Sequence, residues 1–336
     1  MEPANAVWRD HDMAEATDRA PLGHDARMTR RGLRRSGFRG RYLTLKEGSG
    51  ATESMIGFPV LAKLPTTPFS GADVIRGVEC AAPDGDGPGR VRVEVDGKPD
   101  VLAFYGAAPE GAPADPVIFL RGDAVEKRDD GFVANEWYVA ATAYDVQALT
   151  EQLSASFHRP YVHLARPGIL GSSGHHLDPR RPREVALVDA ALTRLKAHFG
   201  WRRLNLVGQS GGGHLVAALI ARRDDIGCAV ITSGNTAVAQ RNRENGWPAD
   251  ITGHSDFLDP IDHVTEVARH PPQKIIVLTD LHDQRVSASV QTAYVEALRG
   301  VGVTVDHRLM PASGRLRHDL QLAGILAAFT WLADEA

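Results

Sequence analysis

Leu204-Asn205-Leu206-Val207-Gly208-Gln209-Ser210-Gly211-Gly212-Gly213-His214-Leu215 is the stretch whose reading decides the fold. The apolar run ending at Val207 reads as a strand covered on both faces, and Leu215 to Ala221 as a helix that is apolar all round and hence buried. Between them Gly208, Ser210 and Gly212 match G-x-S-x-G, which places a serine on a sharp strand-to-helix turn. Glycines are needed because side chains two residues either side of the serine would strike the adjoining strand and helix. The turn holds the serine hydroxyl at the carboxyl edge of a sheet, and the helix that follows points its free amides at any negative charge forming there. A phosphate cradle is the rival reading, but neither a P-loop lysine nor G-x-G-x-x-G with a downstream acid accompanies it.

Outward from this turn, strand and helix patterns alternate. Arg90 to Val95 alternates with period two, Asp96-Gly97 has hairpin-turn chemistry, and Val101 to Tyr105 is the return strand. Val117 to Leu120 and Tyr161 to Ala165 read as strands. A helix spans Pro182 to Phe199, stopped by Gly200. Further strands are predicted at Cys228–Thr232, Lys274–Thr279 and Val303–Leu309, with a helix ending near Arg299 and a closing amphipathic helix from Leu322 to Leu332. Such alternation implies an α/β fold built on a mostly parallel sheet with helices on both faces.

A serine hydroxyl is a weak nucleophile and needs an oriented base. On this architecture the partners follow in the order serine, acid, histidine. The loop after Lys274–Thr279 holds Asp280, His282 and Asp283, and the loop after the last strand ends in His318. Asp283 is the expected orienting acid with Asp280 as its rival, and His318 is the expected base. An oxyanion would be held by the amide of Gly211 and by that of Gly122 or Asp123 in the loop after Val117–Leu120. The Asp123 carboxylate would be unwelcome there unless it points away or pairs with Arg121. Loops containing Phe132, Trp137 and Tyr138, and Trp247, are expected at the rim over Ser210, with Trp137 and Trp247 as candidate apolar substrate contacts. His214 and His307 read as structural, and His175-His176 with Asp178 lack a third ligand at metal-binding spacing.

The 336 residues carry 38 basic and 42 acidic side chains, a net of −4, which gives no support to a nucleic-acid partner. Cys80 and Cys228 make no disulfide framework, and no apolar run reaches the roughly 18 residues that cross a bilayer. A cytoplasmic protein is expected. The 33 glycines and 20 prolines suggest turns or linkers. Residues 1–50, with seven arginines and no acid between Arg27 and Lys46, read as a flexible basic arm, which could tether the chain to an anionic surface. Residues 51–336 read as one catalytic domain whose core sheet starts near residue 90.

At these residues the chain resembles the α/β-hydrolase superfamily, and its second half is similar to prolyl oligopeptidase-type and dienelactone-hydrolase-type catalytic domains. Besides Gly208–Gly212, the similar stretches are Arg166-Pro167-Gly168-Ile169-Leu170-Gly171-Ser172-Ser173-Gly174, Asp259-Pro260-Ile261-Asp262-His263-Val264 and Asp283-Gln284-Arg285-Val286. The resemblance implies an eight-stranded sheet, a Ser210–Asp283–His318 triad, and a serine hydrolase that cleaves a carboxylic ester or amide through an acyl-enzyme without metal or organic cofactor. Arg121-Gly122 stands where many members have His-Gly, and Thr279-Asp280 where the family usually has His-Gly. Too few residues precede the sheet for a β-propeller, which favours a small-molecule ester over a peptide substrate. Two other readings stay open, a small oligopeptidase and a non-catalytic binding protein on the same fold.

Overall fold

The computed structural model describes residues 69–80, 89–112 and 115–335; the basic arm expected at residues 1–50 lies outside them. Strands β1 (Arg90–Val95) and β2 (Lys98–Ala107) form the predicted hairpin, with Asp96 and Gly97 both at positive φ, 53° and 71°. They are followed by β3 (Val117–Leu120), the short pair β4 (Val125–Arg128) and β5 (Gly131–Ala134), β6 (Tyr161–Leu164), β7 (Leu204–Gln209), β8 (Ile226–Thr232), β9 (Lys274–Thr279) and β10 (Asp306–Leu309). The helices are α1 (Gly71–Arg76), α2 (Glu136–Ala140), α3 (Ala143–Phe157), α4 (Pro182–Phe199), α5 (Gly211–Ile220), α6 (Val238–Asn245), α7 (Val264–Arg269), α8 (Ala288–Gly300) and α9 (Gln321–Asp334).

Eight strands form one sheet in the order β1-β2-β6-β3-β7-β8-β9-β10, while β4 and β5 pair only with each other. The pairings of β6, β3, β7, β8, β9 and β10 are all parallel, and β2 runs antiparallel to both of its neighbours. Central strands with helices on both sides have no solvent face, so β3, β6, β7 and β8 are buried at every position. On one face Ile118, Leu206 and Ile231 meet α4, α5 and α8 through Leu192, Leu219 and Tyr294. On the other, Phe119, Val207 and Val230 meet α3 and α9 through Leu153, Ile325 and Phe329. A smaller cluster packs α1, α2 and the β4–β5 hairpin around Tyr105, Tyr138 and Leu170. Among the described residues no helix is long and apolar enough to cross a membrane.

The last strand is shorter than its apolar pattern predicts. Val303 and Val305 pack in the core, but ladder pairing starts only at Asp306. Pro182 opens α4, and Gly200 ends it in the left-handed conformation with φ 68°, as read from the sequence.

Three histidines inside this fold, His163, His176 and His214, are buried, and burial pushes each imidazole down to about 3. They are therefore neutral when folded and, with an unfolded value of about 6.5, protonate first in the unfolded chain. The unfolded state then binds more protons below about pH 6.5, and stability falls as pH falls, by roughly 4 kcal/mol per unit for the three together. A clear drop in the urea midpoint is expected between pH 7 and pH 5. An unchanged midpoint would contradict their burial as neutral groups.

Candidate active site

Ser210 occupies the junction of β7 and α5 at φ 56° and ψ −115°, a backbone conformation that a non-glycine residue rarely adopts. Its amide donates to Thr232 O at 2.8 Å, and its carbonyl accepts from His214 N at 3.0 Å, so neighbouring structure holds the turn from both sides. A Cβ on Gly208 would run into the carbonyl of Gly212, and one on Gly212 into the carbonyl of Leu120. The helix can thus start so tightly against β7 and β3 only with glycine at both positions. A Gly212→Ala variant is expected to lose about 3 kcal/mol of stability or to fail to fold, measured by urea unfolding, because the carbonyl it meets belongs to a central strand end.

Asp283 and His318 come together as their loops predict. His318 Nδ1 lies 2.9 and 2.8 Å from the two carboxylate oxygens of Asp283, whose side chain is fully buried. Asp283 Oδ1 also accepts the amides of Arg285 and Val286, which fixes the carboxylate in place. With Nδ1–H donating to Asp283, Nε2 of the neutral ring is the free acceptor. Gln209, beside Ser210, ties the histidine loop to the elbow. Its Nε2 donates to His318 O at 2.7 Å, and its Oε1 accepts from Leu320 N at 3.2 Å. Among the described residues Ser210 Oγ and His318 Nε2 form no hydrogen bond, to each other or to any other group. The rival acid Asp280 is occupied elsewhere, by Ala312 N and Arg317 Nε, both at 2.7 Å.

The loop after β3 passes over Ser210, with a Cβ on Gly122 3.0 Å from Ser210 Cβ and 3.7 Å from its Oγ. Among the described residues the amides of Gly122, Asp123 and Gly211 donate no hydrogen bond. All three lie near the serine.

Of the two arrangements the sequence left open for the Asp123 carboxylate, pairing with Arg121 does not occur. Asp123 Oδ1 accepts from Arg166 Nη1 at 2.8 Å and its Oδ2 from Arg180 Nη1 at 2.7 Å. Partial burial pushes this carboxyl up, but Arg180 and Arg166 more than offset it and hold the group well below the usual carboxylate range. Arg121 instead lays its guanidinium over the Trp137 ring, 3.7 Å from the centroid. Arg166 also binds Glu184, and Arg180 forms a two-pronged contact with Asp250 at 3.0 and 2.7 Å. Arg180 and Glu184 were not singled out by the sequence, and Arg166 only as the start of a stretch similar to known hydrolases.

Other expectations resolve by contact. Tyr138 is a core residue, its hydroxyl accepting from Leu170 N, while Trp247 lies under Arg241 at 5.1 Å. The loops expected at the rim are therefore built from aromatic rings carrying guanidiniums and from a small core of their own. Burial, then the like charge of Arg180, pushes Arg241 down to about 10. His176 is buried, its Nε2 accepting from Ala124 N at 2.9 Å and its Nδ1 facing Pro167 O. Asp178 pairs with Arg181 and His254. Among the described residues no three His, Cys, Asp or Glu side chains cluster as a metal site. His214 reaches Leu258 O, and His307 reaches Thr279 Oγ1.

The sheet order, the elbow after β7, and acid and histidine loops after β9 and β10 define the α/β-hydrolase fold. No family model and no curated protein sequence matches the chain. Solved structures do match. The esterase Pf2001 of Pyrococcus furiosus superposes with TM-score 0.53 at 12% identity, over 77% of this chain and 98% of that one. Est1E from Butyrivibrio proteoclasticus, solved with ferulic acid bound, gives 0.51 at 13% identity, over 73% and 98%. An acylaminoacyl peptidase gives 0.50 at 13% identity, over 73% of this chain but 40% of that longer chain.

Proposed function

We propose that the protein is a serine hydrolase that cleaves a carboxylic ester through an acyl-enzyme, with Ser210 as nucleophile, His318 as base and Asp283 as its orienting acid. The observation that carries this reading is convergence. One strained turn presents Ser210 beneath three unbonded amides, and the adjoining loops supply an imidazole already locked by a buried carboxylate. The likeness of the fold to two esterases, over nearly their whole length, supports ester as the bond cleaved.

In the acylation step Ser210 Oγ attacks the carbonyl carbon as its proton passes to His318 Nε2. The carbonyl electron pair moves onto oxygen, where the amides of Gly211 and of Gly122 or Asp123 receive the negative charge. Collapse expels the alcohol, which takes the proton from His318. Water then attacks the acyl-enzyme by the same route, releasing the carboxylic acid and restoring Ser210. Asp283 stays ionised throughout, holding the ring orientation and stabilising the imidazolium. The Ser210–His318 contact closes in the substrate complex, as such contacts often do. No step needs a metal or an organic cofactor.

The test is labelling by a fluorophosphonate together with hydrolysis of short p-nitrophenyl esters. Wild type is expected to label and turn over, Ser210→Ala to do neither, and Asp283→Asn to lose roughly 10,000-fold in kcat. A wild-type protein that takes no label, and hydrolyses nothing that Ser210→Ala does not, overturns the proposal. Ester and N-acyl peptide substrates run side by side separate esterase from peptidase.

A further inference from the structure

The loop from Arg121 to Ala124 is clamped through three of its carbonyls, the Ala124 amide and both oxygens of the Asp123 carboxylate. Arg166 Nη1 donates to Arg121 O and to Asp123 Oδ1, and Arg180 Nη1 to Asp123 Oδ2. Asn135 Nδ2 donates to Asp123 O, Asn135 N to Ala124 O, and Ala124 N to His176 Nε2. The amides of Gly122 and Asp123, above Ser210, are left without a partner among the described residues.

The two guanidiniums are themselves fixed from behind. Glu184 Oε1 accepts from Arg166 Nε, and Glu184 Oε2 from the backbone amide of Arg180, at 2.9 and 2.6 Å. Asp250 grips Arg180 with both oxygens, and Arg180 sits at φ 64°, a strained conformation for a non-glycine residue. Arg166 and Arg180 are 0% and 1% exposed, whereas the Asp123 side chain keeps 23% exposure. A Cβ on Gly211 would collide with Asp123 Oδ1 and Arg166 Nη1, so this carboxylate lies against the residue whose amide faces the serine. Burying such charges gains little stability over apolar residues of the same volume. What it does achieve is a single orientation for the group that is gripped, at the place where a bare carboxylate would repel a developing oxyanion.

We propose that Asp123, Arg166 and Arg180 are positioning residues of the hydrolase. Two buried guanidiniums grip one carboxylate to aim the Gly122 and Asp123 amides at the carbonyl oxygen of the substrate. The same grip cancels the carboxylate charge beside it. The inference rests on the serine-hydrolase reading and adds that transition-state binding, rather than substrate binding, depends on Arg166 and Arg180, which act through the Asp123 loop.

Arg180→Gln removes one grip and leaves the Asp123 charge half-neutralised. In steady-state hydrolysis of a p-nitrophenyl ester, kcat is expected to fall about 10-fold to 100-fold, less than the roughly 100-fold to 1,000-fold that losing an oxyanion donor outright costs, with KM within about twofold. Affinity for an alkyl trifluoromethyl ketone, whose adduct places an oxyanion at the same spot, is expected to fall by a similar factor. Arg180→Lys keeps the charge without the fork and should recover part of both losses. Should Arg180→Gln not fold, Arg180→Lys and Asp250→Asn carry the test, each predicting a smaller fall in kcat at constant KM.

Folded variants with unchanged kcat and ketone affinity, or with KM raised at constant kcat, overturn the positioning role, even if their melting temperatures drop. If wild type itself takes no fluorophosphonate label, the serine-hydrolase reading falls and this inference with it.

Discussion

A serine backbone in the left-handed region is the constraint around which the molecule is arranged. Such a conformation costs on the order of 1–3 kcal/mol and persists only when its surroundings leave the chain no alternative. Here β7 and α5 are pressed so closely that Gly212 lies against the end of β3, and the amide of Ser210 is taken by the end of β8. The neighbouring strands are buried on both faces, so relaxing the turn would mean moving the centre of the sheet. The serine is thereby held at the carboxyl end of β7, at the start of α5.

Around that rigid point the electrostatics divide into two assemblies. Asp283 and His318 form one, a fully buried carboxylate holding an imidazole whose side chain keeps 15% exposure. The other joins three carboxylates, Asp123, Glu184 and Asp250, to two guanidiniums, Arg166 and Arg180, leaving one negative charge in excess. The buried Arg241 donates to Arg285 O at 3.2 and 3.0 Å and lies within the electrostatic reach of both assemblies, Asp250, Asp123 and Asp283 included. Each of these carboxylates accepts hydrogen bonds from within the protein, Asp283 from two backbone amides as well as from His318, which is what allows so many to be withdrawn from water.

The elements legible in sequence were those with local signals. The G-x-S-x-G spacing, the runs of apolar residues and the loops following strands placed β7, α5, Asp283 and His318 without any knowledge of distant contacts. The pairing of the five-member charge assembly left no such trace. Arg166 meets Asp123 across 43 positions and Arg180 meets Asp250 across 70, and the stretch Asp178-Pro179-Arg180-Arg181-Pro182-Arg183-Glu184 reads like any solvated charged run. Arg181 and Arg183 in that stretch are in fact partly exposed, and only the backbone twist at Arg180 turns one arginine inward. The same limit left the partners of Asp123 open. Arg121 is the nearest cation along the chain, but its stem follows the β3 alternation onto the face where Trp137 lies. Of the glycines counted in the composition, Gly208 and Gly212 mark points where backbones touch, and Gly211 one where the Asp123 and Arg166 side chains press against the chain.

Asn135 gives the region beside the site a property of its own. By binding Ala124 O through its amide and Asp123 O through its side chain, it closes the stem of the excursion that carries β4 and β5. Above that closure the hairpin pairs only with itself and packs into a small cluster separate from the two that flank the sheet. The excursion is in effect a graft on a sealed stump. Its tip can be lengthened, trimmed or exchanged while the loop below the seal keeps its hydrogen bonds, so this surface is free to diverge independently of the sheet beneath it.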